Sequence, residues 1–135
     1  QVIPQMKRQG SGAILFINSQ AIRRPSHAGA YAASKGALKV LATYLARDLG
    51  PLGIRVNTLL PGIMWSESVQ AHIHRTATEQ GVPEKEVTDR IVANIALRRI
   101  VADDEVAQAA IMLISDYAIA ITGAMLDANG GEFMP

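Results

Sequence analysis

The pair Tyr31 and Lys35 is the part of this sequence that most directly suggests chemistry. The two residues stand four positions apart in the run 30–36 (AYAASKG), so on a helix their side chains lie on one face, one turn apart. An ammonium beside a phenol favours the phenolate and lowers the pKa of the phenol. A tyrosine tuned in this way can pass a proton to or from a substrate oxygen, which is the acid–base step of reversible alcohol–ketone chemistry.

Residues elsewhere in the chain give this pair its context. Ser19 lies twelve positions before Tyr31 and directly follows the apolar run 13–18 (AILFIN). Pro61 and Gly62 follow a second apolar run, residues 54–60 (IRVNTLL). A tyrosine and a lysine at this spacing are often only a half-buried aromatic beside a solvated charge, so the combination of motifs is far more specific than any one of them.

Hydrophobic patterning predicts strands that alternate with helices. The continuous apolar run 13–18 is typical of a parallel strand buried on both faces, and runs 54–60 and 124–128 predict two more strands. Residues 1–9 are predicted to be the end of a helix, and further helices are predicted over 30–49, 64–80, 84–97 and 103–115. Helix 30–49 is the strongest of these predictions, because its apolar residues recur at helical spacing, namely Ala37, Leu38, Leu41, Leu45 and Leu49. This order predicts an α/β fold with a parallel sheet and helices on both faces.

Several candidate residues lie directly after the carboxyl end of a predicted strand. Ser19 follows the first strand, Pro61-Gly62 the second and Asn129 the third. Ligands of doubly wound parallel sheets bind outside the carboxyl ends of the strands. We therefore expect these residues to meet at the ligand-binding edge.

These motifs together resemble the second half of a short-chain dehydrogenase/reductase, from about Gly10 to Glu132. The resemblance implies the C-terminal part of a Rossmann-like doubly wound sheet. It also implies an oxidoreductase that uses NAD or NADP to move a hydride between the nicotinamide and a small-molecule carbonyl or secondary alcohol. Tyr31 would then be the general acid/base, Lys35 would support it and bind the nicotinamide ribose, and Ser19 would hydrogen-bond the substrate oxygen.

The segment 61–64 (PGIM) resembles the family segment that contacts the nicotinamide end of the cofactor. By this resemblance Pro61, Gly62 and the backbone of Met64 are cofactor-binding. Ser66 stands where the family often has threonine and is assigned the same role. The alternative for this segment is a plain turn that ends the strand.

The sequence also departs from the family pattern. The family usually separates the serine from the tyrosine by one residue more than the twelve found here, and that position holds Asn18. Ser26 is a poorer candidate because it lies in the middle of a loop. No G-x-x-x-G-x-G loop and no counterpart of the family's preceding asparagine occur after Gln1. We therefore expect residues 1–135 to be the catalytic-side half of a longer domain, and the choice between NAD and NADP stays open.

Two readings of the chain follow. In the first, it is part of an active enzyme; in the second, it is a truncated half-domain that folds or associates without turnover, with strand 13–18 as an exposed edge. By resemblance the enzyme would be a homo-oligomer, a dimer or tetramer, with helix 30–49 against its symmetry mate. Its small residues Ala33, Ala37 and Ala42 suit such a contact, and they suit an internal face equally well.

Other conspicuous residues are assigned supporting roles. Segment 64–97 falls where the family covers its substrate and is a candidate lid, with Trp65 either there or in the core. His72 and His74 are two apart and so do not share a helix face, which argues against a metal site. His27 either lines the substrate pocket or is a plain loop residue. Asn57 is expected to be structural, and Asp127 and residues 129–131 (NGG) are expected to be structural or near an interface.

Composition excludes several classes of function. The net charge is +1 with no basic stripe, which argues against a nucleic-acid partner. The chain has no cysteine, so it has no disulfide and no thiol chemistry. No apolar run is long enough to span a bilayer, and no secretory signal is visible. We expect a cytoplasmic enzyme.

Overall fold

A computed structural model describes residues 1–24 and 27–134 of the chain. In this part of the chain one parallel sheet is built from β1 (Gly12–Ile17), β2 (Ile54–Pro61) and β3 (Met125–Ala128), in that spatial order. The helices are α1 (Ile3–Gln9), α2 (Gly29–Leu49), α3 (Glu67–Gln80), α4 (Glu84–Val92) and α5 (Asp103–Ile114). Short 3-10 turns occupy Gln20–Ile22, Gly50–Leu52 and Asp116–Ala118.

The register of the sheet brings the three strand ends together. β1 pairs with β2 from Gly12 opposite Ile54 to Ile17 opposite Leu59. β2 pairs with β3 from Thr58 opposite Met125 to Pro61 opposite Ala128. Because all three strands are parallel, the loops that follow them leave from the same edge. The α/β class predicted from the sequence is confirmed.

Helices cover both faces of the sheet, as predicted. Side chains alternate along a strand, so neighbouring residues of β1 enter different clusters. Ile14 and Phe16 join α1 and α2 on one face, whereas Leu15 joins α5 on the other. The first cluster is centred on Ala42, Ala46, Leu49, Ile54 and Val56, and the second on Leu59, Val101, Val106 and Leu113.

Helices α3 and α4 form a third cluster with their own apolar core. Its buried members are Ile73, Ala77, Val87, Ile95 and Ile100. The chain enters and leaves this unit at one point, where Met64 and Val101 form an isolated parallel bridge and the Trp65 amide donates to the Val101 carbonyl at 2.9 Å. Both helices are shorter than the sequence predicts. Helix α3 begins after its cap, Ser66, and α4 ends at Val92 and not near residue 97.

One prediction about burial is wrong. β1 is only partly buried, and Ile17 is 48% exposed, because β1 lies at an edge of the three strands described. In α2, Leu45 and Leu49 pack in one cluster with the small residues Ala42 and Ala46, whereas Leu41 is 49% exposed. The small side chains let the helix lie close to β2.

The exposed fractions of Trp65 and of the small residues in α2 bear on the alternatives left open for them. Trp65 is 44% exposed and therefore is not a core residue. Ala42 takes the internal position, whereas Ala33 and Ala37 are exposed.

Within the described ranges, no helix is both long and apolar enough to cross a membrane.

Candidate active site

The end of β1 is fastened to the start of α2, and we call this region the β1–α2 corner (residues 17–19 and 31–35). The Lys35 ammonium donates to the Ile17 carbonyl at 2.9 Å, and the Asn18 side-chain amide donates to the Lys35 carbonyl at 3.1 Å. These two bonds run in opposite directions between the same two segments. They therefore fix the first turns of α2, which carry Tyr31, against the strand end that carries Ser19.

Ser19 has a capping role that leaves its hydroxyl hydrogen unused. Its Oγ accepts from the Ala21 amide at 3.2 Å and caps the 3-10 turn Gln20–Ile22. A hydroxyl can accept through its lone pairs and still donate its hydrogen, and no acceptor for that hydrogen lies among residues 1–24 and 27–134. Asn18, the alternative position, is 3% exposed and bonds through both ends of its amide. Ser19 is therefore the better candidate, and Ser26 lies outside the described residues.

Tyr31 and Lys35 lie together as the spacing predicts. The Lys35 ammonium is 5.6 Å from the centroid of the Tyr31 ring. Tyr31 is 48% exposed, and its hydroxyl has no hydrogen-bond partner in the described part of the chain. An ammonium has three donors, and the bond to Ile17 uses one of them.

The loops after β2 and β3 meet in a second region, which we call the β2–β3 corner (residues 61–66 and 129–132). Here backbone amides of the loop after β2 donate to β3 and to the loop that follows it. The Gly62 amide donates to the Ala128 carbonyl at 3.4 Å, and the Ile63 amide donates to Oε2 of Glu132 at 3.0 Å. Ser66 caps α3, with Oγ accepting from the Val69 amide at 3.4 Å and sharing a hydrogen bond with Ser68 at 2.9 Å.

Two glycines make this close arrangement sterically possible. A Cβ on Gly62 would lie 2.6 Å from Oε2 of Glu132 and 2.7 Å from Cβ of Asn129. Gly131 has a φ of +80°, which L side chains rarely adopt. Glycine at both positions lets the carboxylate of Glu132 reach the backbone that follows β2.

Two ion pairs join the loop after β1 to β3 and to the loop that follows β3, and sequence reasoning did not find them. Arg23 donates to both carboxylate oxygens of Asp127 at 2.8 Å, and its guanidinium lies 5.2 Å from the centre of the Phe133 ring. Arg24 donates to Oε1 of Glu132 at 2.9 Å. The partners are more than a hundred residues apart. The sequence did hold a signal for them. The adjacent arginines 23 and 24 follow one predicted strand, and the acidic residues 127 and 132 stand on either side of 129–131.

The expected structural roles of two asparagines are confirmed. Asn57 is 2% exposed; its amide donates to the Ile121 carbonyl at 2.8 Å and accepts from the Ala124 amide at 3.1 Å. Asn129 is 4% exposed and bonds to Phe133 and Gly131, each at 2.8 Å. Both side chains hold neighbouring loops in place.

The histidines remain outside the site chemistry. His74 pairs with Glu84 at 2.7 Å on an exposed surface, and His72 contacts Arg75. His27 is exposed. In the described ranges no group of three or more histidine, cysteine or acidic side chains is arranged to hold a metal ion.

A cavity of about 550 Å³ lies at the opposite, amino edge of the sheet. Its one cationic side chain, Arg55, already donates to the carbonyls of Leu113 and Ser115 at 2.8 and 3.0 Å. This cavity is therefore remote from the candidate residues, and its cation is engaged in closing the end of α5.

Comparison with known proteins gives a consistent result. The family model described as enoyl-(acyl carrier protein) reductase matches residues 1–132. The chain is 38% identical to the uncharacterized oxidoreductase YgfF of Escherichia coli, over 94% of this chain and 49% of that protein. It is 34% identical to the 3-oxoacyl-[acyl-carrier-protein] reductase FabG of Staphylococcus epidermidis, over 99% of this chain and 51% of that protein.

Solved structures agree with the sequence relatives. Sorbitol-6-phosphate 2-dehydrogenase SrlD of Erwinia amylovora superposes with a TM-score of 0.86 at 30% identity, over 98% of this chain and 53% of that one. A short-chain dehydrogenase/reductase of Burkholderia thailandensis gives 0.83 at 30% identity, over 98% and 48%. The chain thus spans about half the length of these relatives. With a family match over nearly its whole length and the same fold, the chain belongs to the short-chain dehydrogenase/reductase family and corresponds to the C-terminal half of its members.

Proposed function

We propose that this chain carries the acid–base half of an NAD(P)-dependent oxidoreductase that interconverts a carbonyl and a secondary alcohol. The observation that carries the proposal is the β1–α2 corner. There the Lys35 ammonium lies 5.6 Å from the Tyr31 ring while it is bonded to the Ile17 carbonyl at 2.9 Å. This arrangement holds a cation beside an exposed phenol at the edge of the sheet where such folds bind ligands.

The donor set supports a nicotinamide nucleotide as the cofactor. Lys35 retains two N–H donors after its bond to Ile17, and ribose hydroxyls are suitable acceptors for them. The β2–β3 corner adds the backbone of Pro61, Gly62 and Met64 at the same edge of the sheet. Ser66 is proposed as a further contact, although its oxygen already caps α3.

The proposed chemistry divides among three side chains. The nicotinamide supplies or receives the hydride. In reduction, Tyr31 donates the hydroxyl proton to the substrate oxygen as negative charge develops there, and in oxidation it takes that proton back. Ser19 donates its unused hydroxyl hydrogen to the same oxygen. Lys35 places a positive charge 5.6 Å from the centre of the Tyr31 ring.

The unit formed by α3 and α4 is proposed as the substrate lid, within the segment 64–97. The Met64–Val101 bridge supports this role because the chain enters and leaves the unit there, and the remaining backbone bonds to the fold run from Ala96 and Leu97 to the loop after β3. The unit has an apolar core of its own, which would let it move as one body. We further propose a cytoplasmic homo-oligomer that pairs through α2, where Val40 and Tyr44 are 55% and 67% exposed.

The substrate class is proposed from the relatives' names. These include a 3-oxoacyl-[acyl-carrier-protein] reductase, a 7alpha-hydroxysteroid dehydrogenase and a sorbitol-6-phosphate 2-dehydrogenase. All three names describe a carbonyl and secondary-alcohol pair, so this functional group is the proposed common feature.

The first experiment is titration of the intact protein with NADH and NADPH, followed by nicotinamide fluorescence. Saturable binding of one of them would support the enzyme and would identify the cofactor. A panel of 3-oxoacyl, hydroxysteroid and sugar-phosphate substrates would then be assayed. Absence of binding to either nucleotide would overturn the proposal and favour a half-domain that folds or associates without turnover.

A further inference from the structure

Glu132 occupies a position at which three loops meet. Its Oε2 accepts from the Ile63 amide at 3.0 Å, in the loop after β2, and its Oε1 accepts from Arg24 at 2.9 Å, in the loop after β1. Glu132 itself follows β3, and its own amide donates to the Asn129 carbonyl at 3.1 Å. One carboxylate therefore joins all three loops at the carboxyl edge of the sheet.

The surroundings of Glu132 hold it in this geometry. The side chain is 19% exposed, so its bonds are partly protected from water. Gly62 leaves room for Oε2, since a Cβ at that position would lie only 2.6 Å away. The neighbouring pair Arg23–Asp127 joins the loop after β1 to β3 itself, a few residues away.

We infer that Glu132 is a positioning residue that sets the backbone of Gly62 to Met64 against the β1–α2 corner. The inference rests on the proposed function, because it assigns to Glu132 the placement of the nicotinamide relative to Tyr31 and Ser19. Glu132 contacts neither the substrate nor the reacting atoms in this role. It acts through the Ile63 amide on one side and through Arg24 on the other.

The effect of removing Glu132 follows from the bonds it makes. Glu132→Ala leaves the Ile63 amide and Arg24 without their shared acceptor, so the loop after β2 can shift. Glu132→Gln retains an acceptor for the Ile63 amide but presents its NH₂ group to Arg24, which is also a donor. Arg24→Met removes only the link to the β1 loop. The expected order of damage is therefore Glu132→Ala first, with the other two variants weaker.

The chain offers a closely matched control in Glu105. Its carboxylate likewise accepts from one backbone amide, that of Ala102 at 2.8 Å, and from one arginine, Arg99. This second arrangement lies at the start of α5 and outside both corners. Glu105→Ala therefore reproduces the chemical change of Glu132→Ala at a carboxylate that bonds to neither the Ile63 amide nor Arg24.

The test measures binding of NADH or NADPH, whichever the wild-type intact protein prefers, and of the matching fragment that lacks nicotinamide, ADP-ribose or its 2′-phosphate. We expect Glu132→Ala to weaken binding of the whole nucleotide about tenfold to 100-fold, as for loss of hydrogen bonds to a charged group, and to leave fragment binding within about twofold. Glu132→Gln should recover part of the loss, and Glu105→Ala should bind both ligands like wild type.

The outcomes separate this inference from the proposed function. If wild type binds neither nucleotide, both fail. If wild type binds and Glu132→Ala binds the whole nucleotide equally well, or loses nucleotide and fragment affinity in parallel, the positioning role is overturned and the proposed function stands. Should Glu132→Ala not fold, Glu132→Gln and Arg24→Met decide the question, because unchanged nucleotide affinity in both would equally overturn the role.

Discussion

The two corners of the candidate site place their functional atoms in opposite ways. In the β1–α2 corner the candidate groups are the side chains of Ser19, Tyr31 and Lys35, and backbone atoms hold two of them, the Ile17 carbonyl Lys35 at 2.9 Å and the Ala21 amide Ser19 at 3.2 Å. In the β2–β3 corner the candidate groups are backbone atoms, and a side chain holds them, as Glu132 holds the Ile63 amide at 3.0 Å. The proposed roles therefore depend on side-chain chemistry in the first corner. In the second corner, side chains serve only to hold the backbone in place.

This contrast predicts different consequences of mutation. Under the proposed function, a substitution in the first corner removes a reacting or supporting side chain, and only at Lys35 does it also remove a bond between the two segments. In the second corner no side chain is assigned a reacting role, so damage is expected from displacement of the backbone. The predictions below use that difference, beginning with the largest effect.

The sharpest test of the β1–α2 corner is Tyr31→Phe. Removal of the hydroxyl abolishes proton transfer, so turnover of a carbonyl substrate should fall by about 10² to 10⁴-fold. Because Tyr31 is 48% exposed and its hydroxyl bonds to none of the described residues, the melting temperature and nucleotide affinity should stay near wild type. The measurements are kcat under saturating nucleotide, thermal unfolding and fluorescence titration; retained kcat would refute the acid–base role.

Lys35→Met should affect both chemistry and binding. Loss of the ammonium removes the cation 5.6 Å from the Tyr31 ring and the bond to Ile17. We expect kcat to fall by about 100-fold, as for loss of one preorganised electrostatic group, together with weaker nucleotide binding. Lys39→Met, one turn further along α2 and exposed, is the matched control. Equal behaviour of the two variants would show that Lys35 is an ordinary surface lysine.

In the β2–β3 corner, Gly62→Ala tests displacement of the backbone after β2 without removal of any polar group. The new Cβ would lie 2.6 Å from Oε2 of Glu132 and 2.7 Å from Cβ of Asn129, and such overpacking costs about 1–3 kcal/mol of unfolding free energy. Nucleotide binding should weaken as well. Gly50→Ala is the control, because a Cβ there meets nothing within 4 Å. Unfolding by urea compares the two, and equal stability would contradict the tight packing at Gly62.

The smallest effect is expected outside both corners, at Glu105. Hydrogen bonds from Arg99 and from the Ala102 amide lower the pKa of Glu105 from 4.5 to about 2. The charged form is thus favoured in the folded protein, and its stabilisation is full above pH 4.5 and is lost as the pH falls through about 2. The stability advantage of wild type over Glu105→Gln should shrink over that interval, by a modest amount because the pair is exposed. An advantage independent of pH would contradict the charge-based origin.

The fold was largely predictable because its strands are continuous apolar runs with clear stops. Gly10, Pro61 and Gly81 each mark a boundary that the structure retains, within a few residues. Burial was less predictable. Whether β1 lies inside a sheet or at its edge depends on the neighbouring strands, and that information is not contained in the run 13–18 itself.

The candidate site was predictable only where residue type and local spacing carry the information. Tyr31 and Lys35 meet because a helix turns once in about four residues. The contacts of Arg23, Arg24 and Glu132 depend instead on how three loops converge, since Arg24 and Glu132 are 108 positions apart. No local pattern encodes that distance, so these residues were found only in the structure.

The Met64–Val101 bridge has a consequence for how such enzymes diversify. The chain between these two residues enters and leaves the fold at the bridge, and its helices keep a hydrophobic core of their own. A relative's segment could therefore be transplanted if it matched the two chain junctions and the bonds from Ala96 and Leu97 to the loop after β3. Under the proposed function, selectivity could then change while Tyr31 and Lys35 keep their positions.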